Sequence, residues 1–112
     1  MAERRDFERF SVNVRVILST VDYVSNVVID AYITDCGKIG AQIVSPVYFK
    51  ADERIKLKID MIGGPLEVES KVLECYEDPN QKVRFDKTYV VRVQFDELSE
   101  NDWQTILALG GR

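Results

Sequence analysis

From Ser11 the chain alternates strictly, with Val12, Val14, Val16 and Leu18 on one side and Asn13, Arg15 and Ser19 on the other. A period of two marks a strand with one buried and one wet face. After Asp22, Tyr23 to Thr34 reads as a second strand, irregular in its first half around Ser25 and Asn26. Ala41 to Ser45 is a third, stopped by Pro46, which has no N–H to give to a ladder. Val47-Tyr48-Phe49 then reads as an apolar patch before a polar turn at Ala51 to Arg54. Ile55, Leu57, Ile59 and Met61 alternate with Lys56, Lys58 and Asp60 as a fourth strand, ended by Gly63-Gly64-Pro65. The fifth runs from Leu66 to about Tyr76, and its register slips near Leu73-Glu74-Cys75, which predicts a bulge. Pro79-Asn80 is a turn pair, and Lys82 to Asp86 is either a loop or a strand extension. Thr88 to Phe95 is the sixth strand, with Tyr89, Val91, Val93 and Phe95 alternating against Val90, Arg92 and Gln94.

Beyond Phe95 the period changes. Ser99 is a suitable helix N-cap, Asp102 sits where a carboxylate favours the helix dipole, and Leu98 can staple onto Trp103. Trp103, Ile106, Leu107 and Ala108 share one face of a short helix ended by Gly110-Gly111. The pattern predicts an all-β domain, a six-stranded antiparallel β-barrel with a short C-terminal α-helix flanking one end. Residues 1–10 form an arm, 11–98 the barrel and 99–109 the helix, within a single domain spanning 1–112. The expected core is Val12, Val14, Val16, Ile33, Ile43, Leu57, Ile59, Val68, Val72, Val91, Val93 and Phe95, with Trp103 and Leu107 from the helix.

Between the second and third strands, Ile33-Thr34-Asp35-Cys36-Gly37-Lys38-Ile39-Gly40-Ala41 reads as a tight turn. Gly37 and Gly40 are expected to supply positive φ, and Asp35 to sit on a rigid loop where a flat polar ligand could approach. A plain hairpin with an Asx turn at Asp35 accounts for the same residues.

Composition narrows the function. The chain has 112 residues, 46% hydrophobic and 30% charged, which suits one globular domain with a core of its own. It has no histidine, so the commonest general base is missing together with every Ser-His and Cys-His pair, and an enzyme is not expected. Cys36 and Cys75 lie in apolar strand sequence with no CxxC, and are expected to be reduced and structural. The net charge of −4 and the pI near 4.8 argue against a nucleic-acid binder, whose affinity comes mostly from neutralised phosphates. No apolar run reaches membrane-spanning length and no charged-then-apolar leader opens the chain, so no membrane insertion and a cytoplasmic location are expected.

A small anion needs only local positive charge. The arm carries Arg4, Arg5 and Arg9 interleaved with Phe7 and Phe10, and guanidinium groups both pair with phosphate and stack on flat rings. Arg5-Asp6-Phe7-Glu8-Arg9 is an RxxxR, followed one strand pair later by Asp35-Cys36-Gly37-Lys38-Ile39-Gly40. In this order, on six strands and a helix, and with Val91-Arg92-Val93-Gln94-Phe95 as closing strand, these segments resemble the PilZ domain family of bacterial cyclic di-GMP receptors. That family's pattern is RxxxR on an N-terminal arm and Asp-or-Asn-x-Ser-x-x-Gly on the barrel.

The resemblance implies a receptor that binds cyclic di-GMP, without a cofactor, and reports it to an unidentified downstream protein through ordering of the arm. By it, Arg5 and Arg9 grip phosphates and guanine edges, Arg4 adds a stacking or phosphate contact, and Asp35 accepts from guanine N1 and N2 donors. Arginine chemistry permits both roles. Gly40 keeps the turn open. Gly37 stands where the family has Ser, and loss of one neutral hydrogen bond weakens binding roughly fivefold, leaving affinity on the order of micromolar. The alternative is a nucleotide-independent interaction adaptor of the same fold, suggested by Gly37 and the 47–49 patch.

Overall fold

A computed structural model describes residues 9–20, 28–61, 63–79 and 87–110. Among them, β1 (Arg9–Thr20), β2 (Val28–Gly37), β3 (Gly40–Ser45), β4 (Arg54–Ile59), β5 (Leu66–Glu77), β6 (Tyr89–Phe95) and α1 (Glu100–Gly110) follow in chain order. The strands close into a barrel in the order β1-β2-β3-β6-β5-β4, every neighbour antiparallel. Closure matters because an open edge would leave a row of unpaired N–H and C=O groups. Two three-stranded meanders, β1-β2-β3 and β4-β5-β6, are joined at β1–β4 and β3–β6.

The inward residues of each strand meet in one core. Val16, Leu18, Ile33, Ile43, Leu57, Ile59, Val72, Val91 and Val93 are buried there, as the period-two pattern requires. Ile29, Ile55 and Ile106 belong to it as well, although the expected core omitted them and Leu18. Val12 and Val14 are only partly buried although β1 keeps its alternation there, and the pairing with β2 carries an extra β1 residue between Ser11 and Val14. The slip expected in β5 is present as a register shift between Val72 and Glu74.

Two expectations about burial need correction. Phe49 is not part of a surface patch: it is buried in the connection from β3 to β4, its N–H donating to Cys75 Sγ at 3.5 Å. Val47 and Tyr48 stay exposed, Tyr48 standing edge-on to Tyr89 at 5.7 Å. Leu107 is not core. Helix α1 packs against β1 along a narrow line through Ile106, with Trp103 and Leu98 partly buried, and leaves Leu107 36% exposed. The helix start is as read: Ser99 Oγ accepts from the Asp102 N–H at 3.0 Å, and Glu100 and Asp102 lie in the first turn.

Candidate functional site

Strand β2 alternates exposed and buried residues as far as Ile33, after which Thr34 and Asp35 are both half-buried and Cys36 and Gly37 are buried. The ladder explains this. Ile33 pairs with Ile43 and Asp35 with Gln42, so two residues of β2 advance against one of β3. Such a bulge puts consecutive side chains toward one face and re-aims them. Thr34 Oγ1 donates to the Gln42 carbonyl at 3.4 Å across it.

Asp35 therefore sits within β2 and not on a loop, and the bend is confined to Lys38-Ile39. The glycines also differ from expectation. Gly37 closes β2 and Gly40 opens β3, while the positive φ values among the described residues fall at Asp52 and Gly64. At Gly40 the reason for glycine is a close approach: a Cβ there would stand 2.2 Å from the Val93 carbonyl oxygen on β6. The bend is held from the same strand, Phe95 N–H donating to the Ile39 carbonyl at 2.8 Å.

The register builds a belt across the outer face. Ser11 on β1 opposes Asp35, Asp35 opposes Gln42, Gln42 opposes Arg92 on β6, and Arg92 opposes Glu74 on β5. Alongside it, Tyr32, Val44, Val90 and Tyr76 form a second row. Between the rows lies a surface depression of about 480 Å³. Val44 and Val90 are among the apolar residues lining it, with Tyr76 at one side. Asp35, Gln42 and Asp78 bring polar groups to it. Two carboxylates and an amide beside Val44 and Tyr76 suit a flat heterocycle that offers N–H donors along its edge.

The arm enters beside this depression. Arg9 pairs with Gly37, Phe10 with Cys36 and Ser11 with Asp35, so the first residues of β1 run along the end of β2 that carries the site. Arg4 and Arg5 lie outside the described residues. The register thus joins Arg9, Asp35, Gly37 and Gly40 at one corner of the barrel. It adds Gln42, Tyr76 and Arg92, which sequence reasoning did not single out. Gln42 and Arg92 were legible as polar members of alternating strands; that β3 and β6 are neighbours was not.

Other chemistry is sparse. Among the described residues no group of His, Cys, Asp and Glu could hold a metal ion, and no helix is long and apolar enough to cross a membrane. Cys36 is buried, and burial pushes the Cys75 thiol up while the Phe49 N–H pulls the other way.

Comparison with known proteins points one way. The PilZ domain model matches residues 3–109. The fold is similar to the PilZ domain of YcgR from Escherichia coli, solved with c-di-GMP, at a TM-score of 0.70 and 13% identity over 95% of this chain and 88% of that one. It is also similar to the Bacillus subtilis inhibitor of motility MotI/DgrA, at a TM-score of 0.67 and 18% identity, over 96% of this chain and 49% of that one. No curated protein matches the sequence. With the family model running from the arm through α1, and a barrel that closes in the same fold, the chain belongs to the PilZ domain family.

Proposed function

We propose that this domain is a cyclic di-GMP receptor whose arm closes over the barrel corner at Asp35. One observation carries the reading: β1 begins with Arg9 opposite Gly37 and Ser11 opposite Asp35, so an arm continuing back from Arg9 starts beside the depression. Arg4, Arg5 and Arg9 then meet phosphate or lie on a purine face, and Asp35 takes the N1 and N2 donors of a guanine. Family membership and the c-di-GMP bound to the YcgR domain support the choice of ligand. The half-exposed Tyr76 ring, with Val44 beside it, gives a base an aromatic surface to rest on. Gly37 leaves one donor fewer than the family's Ser, so binding is retained but weak.

The output follows from the arm. Ligand that bridges arm and barrel favours the docked arm by as much as it prefers that state, changing the surface shown to a partner protein. The domain acts as a receptor and not as a catalyst. Titration calorimetry of the full chain with cyclic di-GMP tests this. Saturable heat that disappears in Arg5→Ala and Asp35→Asn supports it; no heat well above ~100 micromolar, about −5.5 kcal/mol of binding free energy, rejects it.

A second reading, an adaptor that docks without nucleotide, draws on the exposed Ile39 and Leu73 beside the site and on Val47 and Tyr48. It predicts partner capture that is indifferent to Arg5 and Arg9.

A further inference from the structure

We infer that Arg92 is a second phosphate-binding residue of this site, held in place by Glu74 until a cyclic dinucleotide takes it. The inference rests on the receptor reading above and names a contact to the ligand from β6. Arg92 is the direct cross-strand partner of Gln42 and lies two residues along the same face of β6 from Val90, and both Gln42 and Val90 line the depression. Two strand spacings along the belt separate Asp35 from Arg92, roughly 10 Å, within reach of an arginine side chain folding toward a ligand on Asp35. Arg92 also borders a smaller hollow of about 170 Å³ with Ile39, Gly40 and Leu73, and its side chain is 42% exposed.

Charge gives the reason. Asp35 and Asp78 both line the depression, and a ligand with two phosphodiesters brings two more negative charges to it. A cyclic dinucleotide carries its two phosphates on opposite sides of its ring, so a ligand seated at Asp35 with one phosphate toward the start of β1 would turn the other toward β6, where Arg92 stands. Its present partner is the Glu74 carboxylate, bonded to Arg92 Nη1, and the two side chains are 42% and 49% exposed. An ion pair that wet is held weakly, so exchanging Glu74 for a phosphate costs little. Glu74 follows the β5 bulge, with Leu73 thrust outward at the shift, and this sets the carboxylate opposite Arg92.

The proposal separates cleanly from a structural role. Glu74 competes with ligand for Arg92, so the two residues must act with opposite signs on binding, whereas a pair that merely ties β5 to β6 must show the same sign from either side. Calorimetric titration of the full chain with cyclic di-GMP is run on wild type, Arg92→Gln, Glu74→Gln and the double variant, with thermal unfolding of each. Arg92→Gln is expected to weaken binding roughly tenfold, the loss of one charge-assisted contact. Glu74→Gln is expected to tighten it about threefold, and the double variant to bind like Arg92→Gln. GMP, which carries one phosphomonoester and no second phosphate, is expected to be insensitive to Arg92→Gln. Changes of the same sign in the two single variants, or none, overturn the inference. If Asp35→Asn abolishes binding while Arg92→Gln leaves it unchanged, the receptor reading stands and this one falls. Failure of wild type to bind removes both.

Discussion

The carbonyl oxygen of Val93 lies 2.2 Å from the place where a Cβ on Gly40 would stand. Gly40 is buried, pairs with Gln94, and begins the strand that joins the two meanders through β3–β6. The signature glycine is thus required by barrel closure before any ligand arrives. Gly40→Ala is expected to lower stability by about 3 kcal/mol, the upper end of overpacking costs, since the obstacle is backbone that cannot swing away. Gly63→Ala, with nothing within 4 Å of the added atom, serves as control and is expected to change stability by less than ~1 kcal/mol. Urea unfolding of both variants measures the difference; equal midpoints would remove the close-approach argument.

Asp35 carries the opposite expectation. It lies on the outer face at a bulge, half-buried, and its role is proposed to be recognition. Asp35→Asn should leave the unfolding midpoint within ~1 kcal/mol of wild type while binding of cyclic di-GMP weakens at least about tenfold, because an amide presents a donor to a guanine edge that itself donates. Competition with cyclic di-AMP provides the second readout: wild type should discriminate between the two ligands and the variant should not.

The helix depends on its cap and on one side chain. Ser99→Ala removes the acceptor for the Asp102 N–H and is expected to cost about 1 kcal/mol. Ile106→Ala, which empties a fully buried position, is expected to cost about 2–5 kcal/mol. Leu107→Ala is expected to cost well under ~1 kcal/mol, since that side chain already meets water. Chemical denaturation of the three variants ranks them, and a Leu107 effect as large as that of Ile106 would contradict the packing described.

The two thiols should react differently. Cys36 is buried and Cys75 is intermediate, its pKa raised by burial. In the native protein Cys75 is expected to be modified by a thiol reagent first, with a rate that climbs toward higher pH than for a free cysteine because the reactive thiolate is disfavoured. Cys36 should react only on unfolding. Mass spectrometry of the time course assigns the order, and faster labelling of Cys36 would refute it.

Much of the barrel could be read from the chain. Alternation set the inward faces of β4, β5 and β6, and the slip at Leu73-Glu74-Cys75 marked the bulge now seen between Val72 and Glu74. The Ser99 cap was legible because capping is local. Phe49 and Leu107 were misplaced for one reason: the burial of each is decided by how its own segment, a connection in the first case and a helix in the second, lies on the barrel. The candidate site divides the same way. Arg9, Asp35, Gly37 and Gly40 stood out as a spaced pattern, but Gln42, Tyr76 and Arg92 did not, since their relation to Asp35 runs across strands.

By itself the sequence determined the order of six strands and one helix, which face of most strands is wet, where the helix starts and that the chain carries no histidine. Those are matters of period, capping and residue type, all local. Only the tertiary structure decided that β3 lies against β6, that Asp35 belongs to a bulged strand and not to a loop, and that Gly40 must be glycine because another backbone passes there. The physical reason is that hydrogen-bonded ladders join residues some fifty positions apart, as Gln42 and Arg92 are, and no short window of sequence carries that register.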